Sequence, residues 1–427
     1  MQNLSTMKNS IKLIFSISVL LISLTVNAQI IIKPNGCYAG TNGFQPAVMS
    51  HPESRGVLIA KKWYEIEISP GVFDFNSLNS DINKVKAAGL KYSLAILAGA
   101  VGSPDWIIDM MNVDFISYEF IGDTVRLPFW WDTIVQTRLD VLISELGVQY
   151  SQDTSLSHVY VTQMTTNGVE GHLNGLNIND FNSVGFTNQK WIDAAKATTY
   201  SFANAFPNVP IVFEVHEINN DTIVPATVIN ELYADPALCK RVGLSMWWIS
   251  GKTSYQPNLI NYISNFNGDK YAQVIGRSDQ LERFEDSLYS NVFVQAKQLG
   301  IRYIEPWPFE FQNHTHDSLF QDFNQWSDNI FLTSVTCSGI TAIEDQVFSK
   351  PNNLSIYPNP NNGKMTIEQS EAFSKIQIID VNGQIIFEKK VPLTKSITID
   401  VSNTPNGIYL IKVLNNKNVS IQKIMKK

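Results

Sequence analysis

Short runs of apolar residues alternate along the chain with longer segments in which apolar residues recur every three or four positions. The short runs predict buried strands, and the recurrences predict amphipathic helices. The predicted strands are Gly56–Trp63, Leu90–Leu97, His158–Thr165, Pro210–Val215, Leu244–Ile249, Ala272–Gly276 and Ile301–Glu305, with Ile30–Cys37 as a candidate eighth. The predicted helices are Phe75–Gly89, Trp131–Gly147, Asn188–Ala205, Pro225–Arg241, Leu259–Phe266 and Leu288–Gly300.

This regular alternation predicts parallel strands joined by helices. Eight such units in about 300 residues indicate an α/β fold of the (β/α)8 TIM-barrel type. A doubly wound open sheet is the alternative, but no glycine-rich nucleotide loop follows any strand. Segment 113–127 predicts a hairpin inserted over the mouth of the barrel.

The pattern changes near residue 336. Ser, Thr, Pro and Asn predominate up to residue 353 without periodicity, which is typical of a linker. Strict alternation follows, and Asn382-Gly383 is a strong hairpin turn signal. We therefore predict four parts: a signal peptide (1–28), a TIM-barrel domain (29–335), a linker (336–353) and a small all-β sandwich (354–427).

The first 28 residues predict a secretory signal peptide. Lys8 and Lys12 precede an apolar run over 13–26, and Val26-Asn27-Ala28 is a small-residue cleavage site. A transmembrane anchor is the alternative, but the run is shorter than the ~20 apolar residues that span a bilayer. We expect export to the periplasm.

Three motifs mark the end of the chain in a fixed order. They are Ser355-Ile356-Tyr357-Pro358-Asn359-Pro360-Asn361-Asn362-Gly363, Ile376-Gln377-Ile378-Ile379-Asp380-Val381-Asn382-Gly383-Gln384 and Pro405-Asn406-Gly407-Ile408-Tyr409-Leu410, before a final Lys423-Ile424-Met425-Lys426-Lys427. This segment resembles the type A C-terminal sorting domain of the type IX secretion system of Gram-negative bacteria. The resemblance implies the type IX secretion machinery as a partner and a secreted or cell-surface location, reached through the periplasm and the outer membrane.

Composition narrows the possible partners. The formal net charge of −7 gives no general attraction for nucleic acid or anionic membranes. The three cysteines have no metal or redox spacing, so at most one disulfide could form, and three thiols are the alternative. Nine Trp, fifteen Tyr and twenty-three Phe exceed what we expect of a core alone, and a surplus at a cleft suits sugar binding.

A longer motif follows the first confidently predicted strand. Trp63-Tyr64-Glu65-Ile66-Glu67-Ile68-Ser69-Pro70-Gly71-Val72-Phe73-Asp74-Phe75 resembles a signature of beta-galactosidase-like TIM-barrel glycoside hydrolases, although Ile68 stands where that family has proline. Segments 100–106 and 127–132 are similar to further parts of the same family. The alternative interpretation is a shared fold without activity, in which Gly71 and Asp74 serve the turn and the aromatic residues serve packing.

The predicted fourth strand runs into Asn167-Gly168-Val169-Glu170-Gly171-His172. In the family an adjacent Asn-Glu pair ends this strand, and its Glu is the general acid/base. The resemblance implies that role for Glu170, although two residues separate it from Asn167 here. A carboxylic acid in a partly desolvated cleft has a raised pKa and can protonate a glycosidic oxygen. A surface-loop glutamate is the alternative.

A glycoside hydrolase of this type needs a second carboxylate. The family nucleophile is a Glu that ends strand seven, but the corresponding segment 273–279 contains no Glu. Glu305, at the end of strand eight, is our first substitute. Glu214 on strand five is the second, because strand alternation turns both it and His216 toward the barrel interior. Glu217 and Asp279 are less favoured, and a buried ion pair is the alternative for each acid.

Several residues at predicted strand ends could bind a sugar. They are Trp63, Asn167, His172, His216, Trp247, Arg277 and Trp307. Of the adjacent pair Trp247 and Trp248, alternation turns one outward, and we assign Trp248 to packing. The segment Asn313-His314-Thr315-His316-Asp317 superficially resembles a metal site, but no further ligand cluster accompanies it. We expect no metal and no cofactor.

The sequence therefore predicts a secreted glycoside hydrolase-like protein that cleaves an extracellular polysaccharide or oligosaccharide with a pair of carboxylates. The alternative is a non-catalytic carbohydrate-binding or cell-surface protein on a TIM-barrel scaffold. The absence of a Glu at the end of strand seven favours that alternative.

Overall fold

A computed structural model describes residues 29–337, 354–379, 385–414 and 419–427. The predicted signal peptide and residues 338–353 of the predicted linker lie outside the described residues. The chain divides into two compact units, Met1–Gly339 and Ile340–Lys427.

Eight parallel strands form the centre of the first unit. They are β1 (Gly36–Cys37), β2 (Gly56–Lys62), β3 (Lys91–Leu97), β4 (Leu156–Tyr160), β5 (Ile211–Glu214), β6 (Val242–Ile249), β7 (Lys270–Val274) and β8 (Tyr303–Glu305). The sheet runs in the order β1-β8-β7-β6-β5-β4-β3-β2, and a parallel bridge between Ala39 and Val57 joins its two edges. The predicted TIM barrel is confirmed.

The first predicted strand divides into two pieces. Gln29–Ile32 pairs antiparallel with Ser334–Cys337 outside the barrel, and only Gly36–Cys37 joins β8. Gly36, the first residue of the second piece, has a φ of +88°, a conformation that favours glycine. The strand Ser334–Cys337 extends two residues past the predicted end of the barrel domain, into the predicted linker.

Helices surround the barrel. They are α1 (Pro46–Met49), α2 (Trp63–Ile66), α3 (Asn76–Ala87), α4 (Gly99–Gly102), α5 (Trp106–Asp109), α6 (Thr133–Tyr150), α7 (Ile178–Ser183), α8 (Asn188–Ala205), α9 (Ile223–Ala234), α10 (Pro257–Asn265), α11 (Ser290–Leu299), α12 (Pro308–Asn313) and α13 (Asp317–Ile330). Helix α8 matches its predicted bounds, and the Thr187 hydroxyl caps it by accepting from Lys190 N–H. Helix α9 ends earlier than predicted, because Asp235 caps a separate 3₁₀ turn over Pro236–Leu238.

The barrel contains two apolar layers. The larger layer lies between strands and helices. The inner cluster draws residues from all around the barrel, so it fills the interior: Tyr38, Leu58, Ala60, Ala95, Tyr160, Val169, Val212, Trp247, Tyr271 and Tyr303. Trp247 belongs to the inner cluster and Trp248 to the outer layer. The predicted outward orientation of Trp248 is therefore confirmed.

Two short hairpins extend from the barrel. Glu67–Ser69 pairs with Val72–Phe73. Phe115–Phe120 pairs with Asp123–Pro128, which confirms the hairpin predicted at 113–127. The second hairpin contacts the loop that follows β4, because the Tyr118 hydroxyl lies 3.0 Å from Thr166 Oγ1. It therefore lies at the carboxyl end of the barrel strands.

The first unit contains one disulfide, between Cys239 and Cys337. Cys37 is a buried free thiol, and burial raises its pKa. Of the two possibilities left open by the three cysteines, the structure has the single bridge. It ties the end of the first unit to the segment between α9 and β6.

The second unit is an antiparallel sheet of five strands: β9 (Ser355–Tyr357), β10 (Lys364–Ile379), β11 (Ile385–Asp400), β12 (Gly407–Leu414) and β13 (Val419–Lys426). The order is β9-β10-β12-β13, with β11 paired to β10. Met365, Ile367 and Ile376 belong to its buried core, and the register of β10 shifts between Glu368 and Lys375. The predicted turn at Asn382-Gly383 lies outside the described residues. In the part of the chain that the structure describes, no helix has the length and apolar character to cross a membrane.

Candidate functional site

The loop after β4 forms the centre of the candidate site. Beyond Tyr160 the chain leaves strand geometry but stays buried as far as Thr166. Gly168 then adopts a φ of +89°, and a Cβ at this position would collide with the backbone of Ala98. Only glycine fits such a close approach without strain. The resulting turn places Glu170 at the carboxyl end of the barrel.

Glu170 is held by reciprocal hydrogen bonds with Asn167. Asn167 Nδ2 donates to Glu170 Oε1 at 2.6 Å, and Glu170 N–H donates to Asn167 Oδ1 at 2.9 Å. The other carboxyl oxygen, Oε2, lies 3.8 Å from His172 Nε2, and 24% of the Glu170 side chain is exposed. The carboxyl group is therefore anchored through one oxygen, while the second is free to react.

The pKa of Glu170 is raised to about 7. Burial is the main cause, because it disfavours the charged form, and the nearby Glu214 adds to it. His216 and the hydrogen bond from Asn167 act in the opposite direction. Near neutral pH the carboxyl group therefore exists in both its protonated and its ionised form.

Glu214 and His216 form a buried pair beneath this loop. His216 Nδ1 lies 3.0 Å from Glu214 Oε2. Glu214 also accepts from Gly171 N–H at 2.5 Å and from Trp247 N–H at 3.1 Å. Burial raises the pKa of Glu214 well above its usual range, although these two backbone donors act to lower it. Because Glu214 is fully buried, it reaches the cleft only through His216.

Two histidines lie beside Glu170. The rings of His172 and His216 meet edge to face with centroids 5.6 Å apart. Burial lowers the pKa of each imidazole to about 4, so both are neutral at pH 7. His172 Nδ1 accepts from Asn174 N–H at 3.3 Å, which leaves the proton on Nε2, the nitrogen facing Glu170.

A cavity of about 400 Å³ opens next to these groups. Its walls come from the loops after β4, β5 and β6: His172, Leu173, Asn174, Leu176, Ile178, His216, Glu217, Ile218, Asn219, Asn220, Tyr255 and Gln256. This volume is within the range of small-molecule sites. We call it the cleft.

Glu305 lies in a different environment, inside the barrel. Its Oε1 accepts from the hydroxyls of Tyr303, Tyr160 and Ser93 at 2.6, 3.1 and 3.3 Å. Its Oε2 accepts from Gln273 Nε2 at 3.0 Å. Burial raises its pKa to about 7, although these four hydrogen bonds act to lower it. The structure thus brings Glu170 together with Glu214, while Glu305 contacts residues of the barrel interior.

Two of the predicted sugar-binding tryptophans are buried. Trp63 has no exposed surface, and its indole N–H donates to Glu67 Oε2 at 2.8 Å. Trp247 is 5% exposed and packs edge to face on Tyr160 within the barrel, with centroids 5.0 Å apart. In this arrangement neither indole presents a face to the cleft.

Arg277 and Trp307 lie on the loops after β7 and β8. Trp307 is 37% exposed, and its indole N–H donates to Val274 O at 2.7 Å. Arg277 pairs with Asp279 and covers the ring of Phe309 at 4.4 Å. Neither residue is among those that line the cleft. Asn167, His172 and His216 are therefore the predicted binding residues that the structure groups with Glu170.

Tyr255 and Gln256 are among the cleft residues that the sequence interpretation missed. They lie between β6 and α10, in a loop that no motif marks. The available signal was positional, because residues after each barrel strand converge on one face. An exposed aromatic residue in such a loop was a candidate on that ground alone.

His51, His314 and Asp317 form a separate group whose ligand-type atoms lie within 4.8 Å of one another. His51 Nε2 and His314 Nδ1 lie 3.0 and 2.9 Å from the two Asp317 oxygens. Glu53 N–H donates to His51 Nδ1, so His51 Nε2 carries the proton and donates to Asp317. Hydrogen bonds account for this group without a metal ion.

Comparison with known families gives one match. The family described as "Secretion system C-terminal sorting domain" matches residues 355–427. The chain therefore carries a C-terminal sorting domain, as predicted. Among solved structures, PorZ, a surface component of the type IX secretion system of Porphyromonas gingivalis, is 17% identical over 18% of this chain and 11% of its own, with a TM-score of 0.16.

The barrel is similar in fold to solved glycoside hydrolases. The catalytic domain of a beta-amylase from Paenibacillus polymyxa is 11% identical over 69% of this chain and 98% of its own, with a TM-score of 0.46. A beta-galactosidase from Rahnella sp. R3 is 10% identical over 70% of this chain and 57% of its own, with a TM-score of 0.45. At these identities the likeness concerns the fold alone. No curated protein matches the chain.

Proposed function

We propose that this protein is an exported glycoside hydrolase that cleaves an extracellular polysaccharide or oligosaccharide, with Glu170 as the general acid. The main support is a single observation. Glu170 lies at the carboxyl end of the barrel with a pKa of about 7, and its Oε2, which Asn167 leaves free, lies 3.8 Å from His172, a residue that lines the cleft. A general acid works best when its pKa lies near the working pH.

The acid step uses the oxygen that Asn167 leaves free. With Oε1 anchored by Asn167, Oε2 carries the proton and gives it to the glycosidic oxygen as the carbon–oxygen bond breaks. The sugar ring then develops oxocarbenium character, which an ionised Glu170 and the neighbouring acids stabilise. His172 Nε2, at 3.8 Å, limits the positions that Oε2 can adopt.

We assign the second carboxylate to Glu214, ahead of Glu305. Glu305 is fully buried and receives four hydrogen bonds from barrel side chains. Glu214 is also buried, but it is hydrogen-bonded to His216, which lines the cleft. In the reactive form Glu214 is ionised: His216 Nε2 takes a proton from a water molecule while the His216 Nδ1 proton passes to Glu214, whose raised pKa makes it the stronger base of the pair. The water oxygen then bonds to the anomeric carbon.

Export is supported by the sorting domain at 355–427. Such a domain indicates passage across the outer membrane and a secreted or cell-surface location. The signal peptide predicted at 1–28 would direct the first step, into the periplasm. An extracellular location makes external glycans the accessible substrates.

A non-catalytic carbohydrate-binding protein is the second candidate. One observation favours it: strand β7 carries Gln273 and no acid, and the Gln273 amide donates to Glu305 inside the barrel. Such a protein would keep the cleft and bind sugars without cleaving them.

The deciding experiment measures hydrolysis of a broad glycan panel by the full chain and by Glu170→Gln. Release of reducing ends by the wild type, lost in the variant, is the expected result. Glycan binding by both proteins, without release of reducing ends by either, would favour the binding protein.

A further inference from the structure

One wall of the cleft is formed by Glu217 and Gln256, which follow β5 and β6. Glu217 N–H donates to Gln256 Oε1 at 2.6 Å. Gln256 has a φ of +50° and is only 9% exposed, so its side chain is fixed against the wall. A positive φ is uncommon for residues other than glycine, so this backbone conformation is held in place by the surrounding structure.

Two polar atoms of this wall have no hydrogen-bond partner among the described residues. They are Glu217 Oε1 and Gln256 Nε2, and both are buried. Burial raises the pKa of Tyr255, and the neighbouring Gln256 side chain acts in the opposite direction, but Gln256 Nε2 makes no hydrogen bond of ordinary geometry with the Tyr255 hydroxyl. Both residues line the cleft. Buried polar groups are normally paired, so an unpaired acceptor and an unpaired donor in the same wall point to a ligand that supplies both partners.

Tyr255 adds an aromatic surface next to these atoms. The residue is 47% exposed, and its ring meets Trp248 edge to face with centroids 5.4 Å apart. The ring is therefore held against Trp248 while about half of the residue's surface stays exposed. The apolar C–H face of a sugar ring is a suitable partner for such a surface.

The charge of the cleft restricts the ligand. None of the residues that line it is Lys or Arg, and both of its histidines are neutral at pH 7. Glu217 lies in the wall and Glu170 lies close by. A carboxylated sugar would therefore meet repulsion without a cation to bind it, whereas a neutral sugar would not.

We propose that Glu217, Gln256 and Tyr255 form a subsite for a neutral sugar residue. Glu217 Oε1 accepts a hydrogen bond from one hydroxyl, Gln256 Nε2 donates to its neighbour, and Tyr255 stacks on the ring. The inference rests on the proposed function for its ligand class, carbohydrate, and adds which sugars bind and through which atoms. A hydroxyl both donates and accepts, so adjacent hydroxyls satisfy the pair.

The test measures binding without hydrolysis, in the full chain carrying Glu170→Gln. The probes are cellohexaose, xylohexaose and mannohexaose, with hexagalacturonate as the charged comparison, all by titration calorimetry. We expect at least one neutral probe to bind and hexagalacturonate to bind at least about tenfold more weakly. Adding Gln256→Ala or Glu217→Ala should weaken the neutral probe by about tenfold or more, because each leaves a sugar hydroxyl unpaired.

Two controls separate ligand contacts from folding. Gln256→Glu keeps the oxygen that accepts from Glu217 N–H and removes the donor, but it also places a second carboxyl group beside Glu217. Its affinity is compared once thermal unfolding shows that the fold is retained, and we expect that affinity to fall. Gln149→Ala changes an exposed glutamine on α6 and should leave affinity unchanged. Thermal unfolding of every variant checks the fold.

Unchanged affinity in the folded cleft variants, stronger binding of hexagalacturonate, or no binding of any neutral probe would overturn the subsite. Neutral binding that depends on Gln256, in a wild type that hydrolyses nothing, would sustain the subsite and refute the hydrolase. Hydrolysis by the wild type, with a KM that Gln256→Glu does not change, would sustain the hydrolase and refute the subsite.

Discussion

Asn167 and Glu170 bind each other twice, with the Asn167 amide donating to the Glu170 carboxyl group and the Glu170 backbone N–H donating to Asn167 Oδ1. Because the pair is closed within one short turn, the carboxyl group keeps its orientation without help from distant residues. The acid proposed for the reaction is therefore positioned locally, and its pKa is set by what lies around it.

Glu170→Gln should abolish hydrolysis with little effect on folding. The amide is close in size but cannot deliver a proton, so kcat should fall by about 10²- to 10⁴-fold. The measurement is initial-rate kinetics on the best glycan. Glu145→Gln, on α6, is the matched control and should keep full activity. Activity within about twofold of wild type in Glu170→Gln would contradict the assignment.

The pH profile should show an alkaline limb near pH 7. The acid must be protonated to act, and its pKa is about 7, so kcat/KM should fall as pH rises through that value. Asn167→Ala removes a hydrogen bond that favours the ionised form, and the limb should move to higher pH. The measurement is kcat/KM from pH 5 to 9, and a limb that does not move would disconnect Asn167 from the titrating group.

Variants of Glu214 and Glu305 distinguish catalysis from stability. Glu214→Gln should lower kcat, because glutamine cannot accept the proton that His216 passes on from water. Glu305→Ala should instead lower the free energy of unfolding by about 1–3 kcal/mol with little effect on kcat, since the hydroxyls of Tyr303, Tyr160 and Ser93 lose the carboxyl oxygen to which they donate. The measurements are initial rates and urea unfolding for both variants. The opposite result would reinstate Glu305 as the second carboxylate.

Glu305 should also make stability depend on pH. Its folded pKa is about 7 against an ordinary 4.5, so between these values the folded protein binds more protons than the unfolded chain. The free energy of unfolding should therefore fall as pH rises from about 4.5 to 7. Glu305→Gln should flatten this slope in urea unfolding measured at several pH values, and an unchanged slope would show that another group is responsible.

The disulfide should contribute strongly to the stability of the first unit. Cys239 and Cys337 are 98 residues apart in sequence, and constraining so long a segment of the unfolded chain is worth about 4–5 kcal/mol in the chain-entropy description. Reduction, or the Cys239→Ser/Cys337→Ser double variant, should lower the urea midpoint. Cys37→Ala is the control, because it should leave the sensitivity to reduction in place.

Deletion of residues 355–427 should stop export at the cell envelope. These residues match a sorting domain and form a separate compact unit, so the barrel should fold without them. The measurement is immunoblotting of periplasmic, outer-membrane and culture-medium fractions from cells expressing each form. Arrival of the truncated protein in the medium in normal amounts would refute a sorting role.

Local sequence patterns were enough to predict most of the longer helices and most strands of the barrel. Helix α8 was predicted to the residue, because its apolar positions and its Thr187 cap are neighbours in sequence. Strands β2, β3 and β5 to β8 were placed within two residues at each end, since buried parallel strands are short apolar runs. Strand β4 ends at Tyr160, five residues before its predicted end, because the buried residues up to Thr166 belong to a loop. The first strand was misjudged in extent. Residues 30–32 are as apolar as a barrel strand, but they pair with Ser334–Cys337, which lies three hundred residues away.

The sequence by itself determined the barrel, the sorting domain and the position of Glu170 at a strand end, because each depends on residues close together in the chain. Only the tertiary structure decided that Glu214 is Glu170's neighbour, that Glu305 is buried among tyrosines, and that Tyr255 and Gln256 line the cleft. Those facts depend on which side chains converge from separate strands, and on how much water remains around each. The periodicity of a sequence predicts which side of a strand or helix a side chain occupies. Which residues that side chain contacts is decided by packing.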